Sequence, residues 1–295
     1  MSSSKPEKKK KLPLAFRLFR SAVPVFETLV PYVANQLAFM AFFYPYRYPI
    51  PRKERELTGK AKCSSFLYKG IRINTYDWPG DGPTVLFMHG WSSRCTQFLA
   101  SINAFQSAGY RCVGFDAPGH GLSEGGRTDV IQFSECILAF EKIVGKIDYA
   151  VAHSMGGAAI IYATKLGFSA KRCCILSTPT VADDIIEVFR DRMNASAKTK
   201  KKLRQEIFDR YKIDFEHFTA AYLARETKLP PTLLIYDQND DDVPTYHAKV
   251  LQEAIPGSEL IYTSNLGHTR ILKDVTVAQY ILHFIEEDSK ENNVH

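Results

Sequence analysis

From Ser64 onward the apolar positions follow two rhythms. Thr84–Met88, Arg111–Phe115, Tyr149–His153, Cys173–Leu176 and Thr232–Tyr236 are short, mostly apolar runs of strand length, and Glu259–Thr263 adds a further strand. Between and after them, residues 96–107, 129–144, 155–165, 245–254 and 275–287 repeat apolar side chains at helical spacing. Ser64–Tyr68 and Ile71–Trp78 flank Lys69-Gly70 and read as a hairpin. Strands that are apolar on both faces and alternate with helices predict an α/β protein. Its sheet would be mostly parallel and twisted, with helices covering both sides.

Two stretches break this rhythm. Residues 180–229 lie between the sixth and seventh strands and carry three amphipathic patterns: Ile185/Ile186/Phe189/Met193, Leu203/Ile207/Tyr211 and Phe215/Phe218/Tyr222. Each could pack on the core in the ordinary way, but their place in the chain suits a helical lid. Residues 13–48 are apolar and aromatic, and no charged residue occurs from Thr28 to Tyr46. That run approaches the ~20 residues needed to cross a bilayer, although Pro31 and Asn35-Gln36 interrupt it. Three readings stay open: packing on the protein's own body, an interfacial anchor, or a span. No small-residue cleavage site closes the apolar region, so a signal peptide fits poorly. The expected organisation is a disordered basic tail at 1–12, an apolar segment at 13–60, a core at 61–179 and 230–288, and a lid at 180–229.

Composition changes this picture little. The 295 residues are 45% hydrophobic and 24% charged, ordinary for a soluble globular chain long enough for one large α/β domain. The net charge of +6 belongs to the first twenty residues, where seven basic side chains face Glu7 alone. The other 275 residues balance at 31 of each sign. A basic tail on a neutral body excludes nucleic acid as the expected partner and leaves an anionic membrane surface or plain solvation. The six cysteines (Cys63, Cys95, Cys112, Cys136, Cys173 and Cys174) show neither metal-ligand spacing nor a disulfide framework, as expected of a reducing, cytoplasmic setting.

Chemistry concentrates at strand ends. Ala152-His153-Ser154-Met155-Gly156 follows one buried strand and opens a helix, a turn that forces the serine hydroxyl out of the sheet and demands small neighbours. Asp237, Asp240, Asp241 and Asp242 follow the strand at 232–236, where a carboxylate can orient a histidine on the next loop. His268, after the last strand beside Gly267, is placed to serve as general base and then general acid. The acid cluster lacks the glycine-bearing ligand series of a calcium loop. His89-Gly90 and the glycine-punctuated Asp116–Ser123 turn read as loop scaffolding, and His217, His247, His283 and His295 as surface residues.

The motifs His89-Gly90-Trp91, Asp116-x-Pro-Gly-His-Gly-x-Ser123, Ala152-His-Ser154-Met-Gly156, Asp240-x-x-Val-Pro244 and Gly267-His268 occur in that order. Over residues 64–287 the chain resembles α/β-hydrolases of the bacterial esterase and monoacylglycerol-lipase type, with Ala152 where the first elbow glycine usually stands. The resemblance implies the α/β-hydrolase fold and a triad of Ser154, Asp240 and His268. It selects Asp240 by its spacing from Val243-Pro244, keeps Asp237 in reserve, and gives Trp91 and Met155 amides as the oxyanion hole. It implies no cofactor and no metal. A serine nucleophile points away from the relatives that use aspartate.

The expected function is hydrolysis of small-molecule or lipid carboxylic esters through an acyl-enzyme. Residues 1–48 would provide peripheral membrane association. Two rivals stand beside it: a cofactor-free perhydrolase or haloperoxidase-like enzyme on the same triad, and a non-enzymatic binding protein on the same scaffold.

Overall fold

Apolar runs of five to eight residues become strands where the sequence places them. In the computed structural model, which describes residues 14–291, these are β1 (Lys62–Tyr68), β2 (Ile71–Trp78), β3 (Thr84–Met88), β4 (Arg111–Phe115), β5 (Tyr149–His153), β6 (Arg172–Leu176), β7 (Thr232–Asp237) and β8 (Glu259–Thr263). They form one sheet in the order β1-β2-β4-β3-β5-β6-β7-β8. The pairs β1/β2 and β2/β4 are antiparallel, and every other pair is parallel.

Alternation along the central strands divides the core between two faces. Val85 and Phe87 of β3, with Tyr149 and Val151 of β5, join Phe98, Ile102, Phe105, Ile281 and Ile285 on one side. Those partners come from the turn at 95–98 and from helices α4 (Leu99–Ser107) and α12 (Val275–Glu291). Leu86, Met88, Ala150 and Ala152 point the other way, onto Phe133, Ile137, Phe140, Ala159 and Ile160 of α5 (Val130–Val144) and α6 (Met155–Lys165). β3, β5, β6 and β7 are buried throughout, so polarity alternation is absent from exactly the strands that helices cover twice. The fold is the α/β-hydrolase fold expected from the sequence.

The insertion forms α7 (Ala182–Met193), α8 (Ala197–Tyr211) and α9 (Ala220–Arg225). Its first two apolar faces do not meet the sheet. Ile186, Leu203 and Ile207 instead bury with Phe43 and pack against Phe39 and Phe42, in a cluster of their own. These phenylalanines belong to α2 (Pro31–Phe43), which follows α1 (Leu14–Leu29). The third pattern is corrected in detail. α9 packs through Ala220, Leu223 and Ala224 beside Ile161 of α6, while Phe215 joins the satellite cluster.

Pro31 separates α2 from α1 near the start of the uncharged run, since a residue before proline is pushed out of the helical region; Val30 sits at φ −137°, ψ 60°. The 13 residues of α2 extend roughly 20 Å, short of a ~30 Å hydrocarbon core. Among the described residues no helix is long and apolar enough to cross a membrane.

After α2 the chain is strapped to the core. Arg47 donates to the carbonyls of Gly119 and Gly125 (2.9 and 3.0 Å), and buried Arg94 pairs with Glu54 of α3 (Arg52–Thr58) at 2.6 Å. The remaining helices, α10 (Tyr246–Ala254) and α11 (Gly267–Arg270), flank β8 in sequence. The basic tail expected over 1–12 lies outside the described residues.

Candidate active site

Ser154 lies at the junction of β5 and α6 with φ 54° and ψ −126°, a left-handed conformation that costs a non-glycine residue of order 1–3 kcal/mol. The surroundings hold it there. Its N–H donates to the Leu176 carbonyl (2.8 Å), and its own carbonyl accepts from the Thr178 hydroxyl (2.9 Å). Close approach explains the small neighbours. A Cβ on Gly156 would lie 2.5 Å from the Met88 carbonyl oxygen, and one on Gly90 would lie 2.7 Å from Ser154 Cβ.

His268 approaches from α11. Its Nε2 lies 3.1 Å from Ser154 Oγ and its Nδ1 lies 2.8 Å from Asp240 Oδ2. The other Asp240 oxygen accepts from the amides of Asp242 and Val243, both at 2.9 Å. Burial alone would raise the Asp240 carboxyl. Hydrogen bonds from His268 and the two amides outweigh it and hold the group below the ordinary carboxylate value. Asp237 has a different job. Its carboxylate accepts from the amides of Asn239, Leu266 and Gly267 and from the Thr263 hydroxyl, bracing the turn that carries His268. Of the acids in this cluster, Asp240 meets the histidine and Asp237 ties its loop to β7 and β8.

Three further histidines are buried around the serine. His153 Nε2–H donates to the His268 carbonyl (2.8 Å), its ring 4.6 Å from that of His268. Burial, aided by His268, pushes its pKa down to about 3, so it is neutral. His89 Nε2 accepts from the Ala117 amide (3.0 Å), leaving its Nδ1–H to donate to the Gly90 carbonyl (2.8 Å). That bond fixes the Gly90–Trp91 peptide, whose N–H is the one assigned to the oxyanion. His120 accepts from the Ser92 amide (3.0 Å) and donates to Pro118 (3.0 Å), fixing the next peptide along. Burial lowers both pKa values. Sequence reasoning placed His89 in the scaffold correctly and gave His153 and His120 no individual role. It placed His247 on the surface, whereas His247 is buried and meets Thr180 at 2.8 Å. An apolar helix face around a histidine signals this poorly.

The Trp91 and Met155 amides lie on either side of the serine in sequence, one after β3 and one opening α6. As the first residue of its helix, Met155 has no intrahelical acceptor for its N–H. Neither amide has a backbone acceptor among the described residues. The Asp116 turn is structural: its carboxylate accepts from Cys95 N (2.9 Å), Tyr76 OH (2.7 Å) and Leu122 N (2.9 Å).

Ser154 is buried, at 8% exposed, while the His268 side chain beside it keeps 16% of its surface open. Near Asp240, Arg192 of α7 pairs with Asp242, and Tyr246 of α10 bonds Asp184 of α7.

The model of the family described as serine aminopeptidase, S33, matches residues 81–268, most of the chain and all of this constellation. The chain belongs to this family. Among curated relatives, the S33 hydrolase is 27% identical over 231 residues to the AB hydrolase superfamily protein YisY of Bacillus subtilis, covering 64% of this chain and 86% of that one. It is 31% identical over 99 residues to the bifunctional esterase/perhydrolase DCH of Acinetobacter calcoaceticus, covering 32% of this chain and 35% of the relative. A 68-residue stretch is 35% identical to an epoxide hydrolase of Caballeronia sordidicola, covering 23% of this chain and 20% of the relative. The S33 hydrolase thus spans about a third of the DCH enzyme and a fifth of the epoxide hydrolase. Among solved structures, a membrane phospholipase A aligns with TM-score 0.62 at 15% identity, covering 92% of this chain and 98% of that one. Mouse alpha/beta hydrolase domain-containing protein 10 aligns with TM-score 0.60 at 15% identity, covering 78% and 99%. At such identities the likeness is one of fold.

Proposed function

We propose that this S33 hydrolase cleaves carboxylic esters through an acyl-enzyme on Ser154. The observation that carries the reading is the unbroken chain from Asp240 through His268 to Ser154 Oγ, at 2.8 and 3.1 Å. Ser154 Oγ attacks the ester carbonyl while His268 Nε2 takes its proton, and Asp240 stabilises the imidazolium through Nδ1–H. The Trp91 and Met155 amides receive the oxyanion, each worth ~2.7–4 kcal/mol in a comparable site. The protonated His268 then hands its proton to the departing alkoxide. Water, deprotonated by the same imidazole, releases the acid and regenerates the serine.

α7 and α8 would form a lid on this site: Arg192–Asp242 and Tyr246–Asp184 tie α7 near Asp240 and would act as its latches. The aromatic faces of the insertion favour acyl chains of some length. A serine rather than an aspartate at the elbow sets the chain apart from the epoxide hydrolase reading.

Two variations use the same acyl-enzyme. Perhydrolysis, suggested by the DCH relative, has hydrogen peroxide replace water and yields a peracid. Amide cleavage, suggested by the family's description, has an amine replace the alcohol as leaving group. The deciding experiment is hydrolysis of p-nitrophenyl esters from acetyl to palmitoyl, alongside an aminoacyl p-nitroanilide, by wild type and Ser154→Ala. Ester turnover that collapses in the variant supports the proposal. Turnover of the anilide alone, or ester turnover that survives the substitution, overturns it.

A further inference from the structure

α1 is amphipathic and mounted backwards. Its apolar positions Leu18, Val25, Phe26 and Leu29 fall on one helical stripe by their spacing, and that stripe faces solvent, with Leu29 73% exposed. Its polar side faces the protein. Arg20 donates to the Asp191 carbonyl (3.0 Å) and accepts from the Asn194 side chain (3.3 Å) at the end of α7. Glu27 accepts from Ser196 N (3.0 Å) and the Thr199 hydroxyl, supplying the carboxylate that the first turn of α8 lacks. An ordinary surface helix does the reverse, burying the apolar stripe.

α2 continues the pattern. Phe39, Phe42 and Phe43 pack on the insertion, while Val33, Leu37 and Met40, spaced at i, i+4 and i+7, remain exposed. The stripes adjoin at the Leu29–Val33 junction, where Tyr32 is 76% exposed. An outward apolar face of this extent calls for an apolar cover.

We propose that the α1–α2 pair docks this protein on an anionic lipid bilayer, lying in the headgroup layer with its exposed stripe against the acyl chains. Two features favour a bilayer over a second copy of the chain. Lys5 and Lys8 to Lys11 directly precede α1, and Arg17 lies exposed within it, a charge that complements anionic headgroups. Exposed Tyr44, Tyr46 and Tyr48 follow α2, apolar rings with a polar tip suited to the headgroup level. The helices are too short to cross, so the mode is interfacial.

Docking stands apart from the ester reading. It gives that reading a geometry, because α1 and α2 are held to α7 and α8 and would keep them at the lipid surface.

The test is co-sedimentation of the full chain with phosphatidylcholine vesicles, with and without phosphatidylserine, against Leu29→Glu/Val33→Glu. Both substituted positions are exposed, and soluble-ester turnover and melting temperature check the fold of the variant. Wild type is expected to sediment with the anionic vesicles, with the double variant at least about tenfold weaker and high salt weakening wild type. Ser154→Ala should bind as wild type does, so a failure of the ester reading leaves this result intact. Wild type remaining in the supernatant with both vesicle types overturns the proposal, as does binding unchanged by the double substitution. A concentration-dependent dimer that the same substitutions dissolve also overturns it and assigns the face to a second copy.

Discussion

At the scale of single residues, the account separates two aspartates that stand three positions apart. Asp240→Asn keeps the amide bonds from Asp242 and Val243 but loses the charge behind His268. Turnover is expected to fall by about 10⁴, as in a comparable serine triad, with little change in melting temperature. Asp237→Asn should do the opposite, lowering the melting temperature because four donors converge on that carboxylate. Equal effects of the two on both readouts would contradict the division of labour. The buried histidines predict an acid-side loss of stability. His153 is neutral in the fold down to about pH 3, whereas in the unfolded chain it protonates near 6.5. Between those values the unfolded state binds the extra proton, so stability falls as pH falls, by about 1.4 kcal/mol per pH unit for that group. His89 and His120 add slopes of the same sign. His153→Asn is expected to make the slope below about pH 6.5 shallower by one proton, measured as denaturation midpoint against pH; an unchanged slope would contradict the burial assigned to this ring.

Among elements, the turn from β5 to α6 is the most tightly constrained. Gly156→Ala would force a Cβ to within 2.5 Å of the Met88 carbonyl, so it is expected to move the elbow and lower both melting temperature and turnover. Wild-type behaviour would show the turn to be looser than drawn. This part was legible from the sequence because a strand, a serine and two glycines are local signals. His268 was legible from its place beside Gly267 on the loop after the last strand, where a general base can face the elbow. The acid was not legible from its neighbourhood, where four aspartates lie within six residues; the spacing to Val243-Pro244 in the resemblance selected it. Partners of helix faces were not legible either. The patterns of α7 and α8 showed that an apolar face exists, but nothing local says whether the sheet or α2 covers it. α2 spreads its apolar residues around the helix, interrupted by Asn35 and Gln36, so its sequence carries little orientation. α1 shows a clear stripe that the fold leaves outside, contrary to the rule by which such stripes are read. α3 was missed because its Arg52–Thr58 stretch is charged and short; its buried members are Glu54, held by Arg94, and Leu57. The Arg192–Asp242 latch makes an element-scale prediction of its own. As a partly exposed pair it contributes at most about 1 kcal/mol, so Arg192→Ala should raise kcat/KM on a long-chain ester by up to about fivefold. A fall in kcat/KM would place Arg192 in substrate binding instead.

At the scale of the whole molecule, the N-terminal helices complete a hydrophobic cluster as well as leaving a face outside. Removing residues 1–48 would strip Phe39, Phe42 and Phe43 from Ile186, Leu203 and Ile207. The truncated protein is expected to melt lower and to bind a hydrophobic dye, which is why point substitutions at exposed positions test docking better than deletion. An unchanged melt would mean that the insertion is stable without them. On the two proposals, the balanced body would carry the chemistry and the basic leading segment the surface attachment. All of this rests on the nucleophile, and the most direct measurement is mass-spectrometric mapping of a fluorophosphonate adduct on the folded full chain. The account predicts one adduct, on Ser154, absent from Ser154→Ala and formed far more slowly by His268→Ala. A folded protein that takes no adduct, or takes it on another residue, would contradict the claim that Ser154 is activated by His268.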